Sequence, residues 1–268
     1  MATKTWLGTD ATSPNDVTVA ANWSPSGQPT AGDDVIITGA VNIDGAVLSA
    51  SGNLASLVVR DYNGTLGSAT TNLTCDIAAS GTVTIDTTGR AYLDFNASDT
   101  DVTIYRTLQT QAPERAIDIT HTSLNDIHVY GGSVRILSGT LDGNLYTYSP
   151  DVQFTVAAGA GVVDYRGPGV GQIYGAATNL YVTEGGIVDY YGTSAITTAE
   201  ASDGAFLLYL SDQNIGTANA HGGTIDGGQS NESVTVTSTS VREGGSIIPG
   251  RSWTISSNPT ERYVINSL

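Results

Sequence analysis

Three segments between Ile127 and Tyr190 share one layout, and that repetition constrains the fold more than any other feature of the chain. Ile127-His128-Val129-Tyr130 passes through Gly131-Gly132 into Val134-Arg135-Ile136. Phe154-Thr155-Val156 passes through Gly159-Ala160-Gly161 into Val163-Asp164-Tyr165, and Leu180-Tyr181-Val182-Thr183 through Gly185-Gly186 into Val188-Asp189-Tyr190. Each copy reads as a short alternating strand, a glycine bend and a second short strand. The first strands begin at 127, 154 and 180, and a spacing so nearly constant marks a repeat architecture.

Units made only of strands and glycine corners leave polar backbone at both edges and must pair with copies above and below, which predicts a β-solenoid. A helical repeat is excluded because no stretch here carries apolar residues at i, i+3, i+4 and i+7 over three turns, and glycines interrupt every ten residues or so. Runs at Asp33–Thr38, Leu57–Arg60, Thr82–Ile85 and Val102–Tyr105 extend the series backwards, and Phe206–Tyr209 and Val234–Thr237 extend it forwards. The expected fold is all-β: a right-handed parallel β-helix of about nine rungs over residues 33–250 with irregular terminal caps, the hand following from the crossover rule. The 32 glycines and the low charged fraction, 13%, suit strands and turns. Gln109 to Arg115 is the one helix candidate, and it is short enough to count as loop or a single turn.

Residues 1–32 lack the repeat and contain Trp6 and Trp23. They read as a cap over the first rung or as an arm that docks on another molecule; Trp6, Trp23, Pro25 and Pro29 are then the candidate interface residues. Residues 251–268, with Trp253, Tyr263 and Ile265, are expected to close the last rung. Met1 leads directly into Ala2-Thr3-Lys4-Thr5-Trp6 without the apolar run of a signal peptide, so the expectation is a product synthesised in the cytoplasm.

A formal charge of −16 and a single lysine, Lys4, leave no basic stripe to neutralise phosphates, so neither nucleic acid nor an anionic membrane is an expected partner. The acidity serves solubility, or docking on a basic surface, or divalent cations. Cys75 has no second cysteine to pair with and reads as a small buried apolar residue or a free thiol.

Aligning the three glycine bends places Val134, Val163 and Val188 in one inward row, with Ile136, Tyr165 and Tyr190 in another. Arg135, Asp164 and Asp189 then form an outward column. Acids stacked on neighbouring rungs, roughly 4.8 Å apart, approach the carboxyl separation of retaining glycosidases, but any stacked pair on a parallel sheet does so. A solvated column partly neutralised by Arg135 is the plainer reading, and it predicts that Asp164→Asn costs no more than about 0.5 kcal/mol. His121, His128 and His221 stand in no metal-ligand spacing, and the Gly-Gly-x-Gly-x-Asp ladder of calcium β-rolls is only loosely echoed at Gly222–Gly228. No nucleophile elbow, phosphate loop or dinucleotide fingerprint is present, so no enzymatic activity, metal or cofactor is expected.

The opening, Thr5-Trp6-Leu7-Gly8 followed by Ala21-Asn22-Trp23-Ser24-Pro25-Ser26-Gly27-Gln28-Pro29-Thr30-Ala31-Gly32-Asp33-Asp34-Val35-Ile36-Ile37, resembles the head of many β-solenoid proteins. It is similar to autotransporter-like surface proteins, which carry a signal peptide, and to tailed-bacteriophage virion proteins, which do not. The phage resemblance implies a structural virion component at the capsid surface, a decoration or cement protein that binds the major capsid protein or another virion protein, and implies a homotrimer. Its alternative is a tail-spike or adhesin-like solenoid that binds or cleaves a host-surface glycan.

Overall fold

A computed structural model describes residues 2–97, 99–106, 117–148, 154–156 and 159–256, with the backbone alone at 97, 106, 140 and 154–156. The helix candidate at Gln109–Arg115 and the tail beyond 256 lie outside the described residues. The chain divides into two units, 1–142 and 143–268. Together their stacked parallel strands make about 10 turns of β-solenoid, and the described residues contain a single turn of 3₁₀-helix at Ala20–Asn22.

In the first unit lie β1 (Thr3–Trp6), β2 (Trp23–Ser24), β3 (Asp34–Gly39), β4 (Leu54–Tyr62), β5 (Leu73–Thr87), β6 (Ala91–Ala97), β7 (Asp101–Arg106), β8 (Ile117–Leu124), β9 (Ile127–Val129) and β10 (Val134–Leu141). One parallel ladder runs β1, β3, β4, the second half of β5, β7 and β9. Its register stacks Val35, Leu57, Val83, Val102 and Ile127 directly on one another, and Ile37, Val59, Ile85, Ile104 and Val129 beside them. All ten are buried. This is the series of early runs expected from the sequence: β-branched residues at every second position keep one face apolar, and a slip of one residue would turn that face to water. A second ladder stacks the first half of β5 on β6, β8 and β10, with Leu73, Leu93, Ile119 and Ile136 in line. β5 serves both ladders by turning a corner at Ser80, whose φ is 63°.

The second unit comprises β11 (Asn144–Tyr148), β12 (Phe154–Val156), β13 (Ala160–Arg166), β14 (Val170–Ile173), β15 (Ala177–Thr183), β16 (Ile187–Tyr190), β17 (Ile196–Ser202), β18 (Phe206–Tyr209), β19 (Ile215–His221), β20 (Thr224–Asp226), β21 (Thr235–Arg242), β22 (Ser246–Ile248) and β23 (Thr254–Ile255). Odd-numbered strands form one parallel ladder and even-numbered strands the other.

That alternation corrects the expected register. Leu180 pairs with Val163 and Ala199, whereas Phe154 and Phe206 belong to the other ladder. Val163 and Val188 therefore share no row: Val163 lies between Leu145 and Leu180, and Val188 between Gly171 and Leu207. Their direction is as expected, since Val134, Val163, Val188, Ile136, Tyr165 and Tyr190 are all buried. The turn is shorter than 26 residues because each rung closes at a left-handed corner. Glu184-Gly185, Asp203-Gly204 and Glu243-Gly244 all have positive φ at both residues, the two-residue turn in which glycine takes the second place without steric cost.

The interior of the second unit balances large against small. Tyr190 and Tyr209 stack at 5.3 Å on one ladder, while Ala199, Ala201, Ala218 and Ala220 occupy the other. Tyr165 fits because a Cβ on either Gly171 or Gly186 would come within 2.9 Å of its ring. Below, Trp253 meets Tyr209 edge-on at 5.6 Å, so the described part of the expected closing segment does pack against the last rungs.

Candidate functional site

The N-terminal segment is folded onto the first ladder. β1 runs parallel to β3, β2 pairs antiparallel with β1, and the register puts Trp6 opposite Trp23. Their rings meet edge-on at 5.0 Å, each residue is 2% exposed, and the Trp23 indole Nε1–H donates to the Val17 carbonyl at 2.7 Å. Of the four candidate interface residues, Trp6, Trp23 and Pro29 lie inside and Pro25 alone is exposed. The Lys4 ammonium donates to the carbonyls of Pro25 and Ser26, both at 3.1 Å, and Leu7 is left 43% exposed.

Asp33 fastens this segment. Its carboxylate accepts from the Ala2 and Thr30 backbone N–H groups at 2.7 and 3.1 Å and from the Thr30 hydroxyl at 3.1 Å. Burial works to raise its pKa, but the hydrogen bonds to the charged form outweigh burial and hold it below the ordinary aspartate value. A group depressed in this way stabilises the fold fully above its ordinary pKa and ceases to do so as pH falls through the native one. Asp33→Asn is therefore expected to melt below wild type at neutral pH, with the gap closing in strong acid; thermal melts of both proteins across that range check it.

Arg135, Asp164 and Asp189 do not form a column, which corrects the second expected alignment. Arg135 donates through Nε at 3.1 Å, and through Nη2, to Asp118 on β8. Asp164, 9% exposed, stands between Tyr146 and Tyr181 and is held by Arg166 with contacts at 2.5 and 3.1 Å. Arg166 also lies over the Tyr148 ring at 5.7 Å. Asp189 sits on the other ladder between Gln172 and Leu208. With the two acids on different ladders, the stacked carboxylate pair imagined for glycoside cleavage is not formed.

Four further outward carboxylates meet neutral donors from the next rung. Ser56 donates to Asp34 at 2.6 Å, Asn96 to Asp76 at 3.1 Å, Thr120 to Asp94 at 2.8 Å and Asn125 to Asp101 at 2.8 Å. Placing an amide or hydroxyl at the rung where a second acid would repel is how so acidic a chain stacks its strands.

Asp189 has a different setting. Burial pushes its carboxyl above the ordinary value, and a hydrogen bond with Gln172 offsets part of that. Close by, Tyr174 and Tyr191 stack at 4.8 Å with rings 6° from parallel, Tyr174 being 42% exposed. A groove of about 400 Å³ continues from Tyr191 past Leu210 to Asp212, Gln213 and Glu232. Sequence reasoning missed this cluster because Tyr174 and Tyr191 each follow a strand end, and only the pairing of Ile173 with Tyr190 aligns them.

His128 is half-buried on β9, and the His221 Nε2 lies 3.2 Å from the Ser240 hydroxyl. Cys75 is buried, with its thiol pKa pushed up by burial and by the neighbouring Asp76 and Asp94. Among the described residues no group of three or more His, Cys, Asp or Glu could hold a metal ion, and no helix is long and apolar enough to cross a membrane. Compared with protein-family models, with curated proteins and with solved structures, the chain matches none.

Proposed function

We propose that this chain is a non-enzymatic structural protein of a tailed-bacteriophage virion, a decoration or cement protein of the capsid surface. In this reading it binds the major capsid protein or another virion protein and assembles as a homotrimer. The resemblance of residues 5–37 motivates the virion, and the observation that carries the structural role is the arrangement of the outward carboxylates. Asp34, Asp76, Asp94 and Asp101 are engaged with neutral donors one rung away, which uses them to fasten rungs together. Mass spectrometry of purified particles, with native mass measurement of the free protein, tests the reading. Many copies per particle and a trimeric mass are expected; absence from the particle overturns it, and a few copies would move the protein to the tail.

The second reading, a tail-spike or adhesin-like glycan binder, draws its support from Tyr174, Tyr191, Gln172 and Asp189 next to the groove that Tyr191 helps to line, since partly exposed tyrosines beside a carboxylate and an amide suit a hydroxyl-rich ligand. A glycan array with wild type and Tyr174→Ala decides it: binding lost in the variant favours this reading, and no binding by wild type removes it.

A further inference from the structure

His121 occupies a place in the first unit that the apolar pattern reserves for a hydrocarbon. Cys75, Phe95 and His121 succeed one another along the inner side of the second ladder, each in register with the next. Cys75 and Phe95 are fully buried, and His121 is 5% exposed. Neither of its ring nitrogens finds a hydrogen-bond partner among the described residues. A neutral imidazole endures that position at some cost, but an imidazolium has two N–H donors and would leave both unmet.

Above the ring the next strand is irregular. The register of β10 against β8 shifts between Ile136 and Ser138 and again between Ser138 and Thr140. The double shift brings Gly139, at φ 117°, onto the ring: a Cβ there would lie 2.5 Å from His121 Cε1. Leu137, which follows the buried Ile136, faces outward by ordinary strand alternation and is 36% exposed. This half of β10 is thus irregularly paired, and it covers the titratable group.

The charged groups acting on the ring are Asp94 on β6 and Asp142 just after β10. Asp118, on β8 itself, alternates to the outer side, where Arg135 of β10 holds it, and the inward residues of β7 and β9 here, Ile104 and Val129, are apolar. Asp94 and Asp142 each accept a hydroxyl already, from Thr120 and Ser123. Burial lowers the His121 pKa, and the two carboxylates restore only part of the loss.

We propose that His121 is an acid-operated latch of the first unit: protonation drives the ring out towards Asp94 and Asp142 and lifts residues 137–141 of β10 off β8. The closed form binds its proton less readily than the open form, whose imidazole has the ordinary pKa of about 6.5. Closure is therefore complete above that pH and weakens as pH falls below it, until the closed form is protonated too.

Hydrogen exchange followed by mass spectrometry, at about pH 5 and about pH 7.5 and corrected for intrinsic rates, tests the latch in wild type and His121→Phe. Acidification is expected to reduce protection of residues 134–141 severalfold more than that of residues 82–87, because the open form binds the proton more readily than the closed one. In His121→Phe, which continues the ladder from Phe95 and cannot titrate, the two segments should respond alike. An equal extra loss in the variant, or no extra loss in wild type, overturns the proposal. Should the variant fail to fold, an NMR titration of the wild-type His121 Cε1 proton decides the matter: a midpoint at or above about 6.5 overturns it.

Discussion

Val163→Asp should lower the stability of the second unit by about 3–5 kcal/mol. Val163 is fully buried on β13 between Leu145 and Leu180, themselves fully buried. A carboxylate there meets hydrocarbon on both rungs, and the Arg166 guanidinium is already engaged by Asp164 on the other side of the strand. In a solenoid each rung is stabilised mainly by its neighbours, so a disrupted β13 weakens β11 and β15 as well. Asp164→Asn is the control. It breaks an ion pair whose arginine side chain is 43% exposed and whose aspartate side chain is 12% exposed, so about 1 kcal/mol is expected. That exceeds the 0.5 kcal/mol that the sequence alone suggests for a solvated acid, because Asp164 is almost covered. Chemical denaturation of the three proteins checks both values, and equal losses would mean that β13 presents its other face to the core.

Trp23→Ala is the counterpart in the first unit, with an expected cost of about 3–5 kcal/mol. The indole is 2% exposed, packs edge-on against Trp6 and donates to Val17, so truncation empties a large volume and leaves the Val17 carbonyl without that donor. The void opens onto β1, whose parallel pairing with β3 starts the ladder of Val35, Leu57 and Val83. Pro25→Ala, at an exposed position of the same segment, should stay within about 0.5 kcal/mol. Thermal melts separate the two roles weighed for residues 1–32. A large fall for Trp23→Ala identifies a cap, whereas an unchanged melt with loss of particle binding would identify an arm.

The fold class was legible because a parallel ladder imposes alternation on every strand. Val35, Leu57, Val83, Val102 and Ile127 stand in a line that the spacing of β-rich runs already traces, each run carrying one apolar face. Inward and outward directions were legible for the same reason, down to Val163 against Asp164. Which strand stacks on which was not, because alternation is identical on both ladders. Leu180 and Phe206 look like successive copies but belong to opposite sides of the turn, and the length of that turn depends on corners such as Glu184-Gly185 and Asp203-Gly204, where left-handed backbone closes the rung early. Partners across rungs follow from that register, so the tie of Asp164 to Arg166 beneath Tyr148, the parallel rings of Tyr174 and Tyr191, and the imidazole of His121 beneath Gly139 were decided only by tertiary structure. A side chain's direction is a local property of its strand, whereas its neighbours one rung away are set by how many residues the intervening turn consumes.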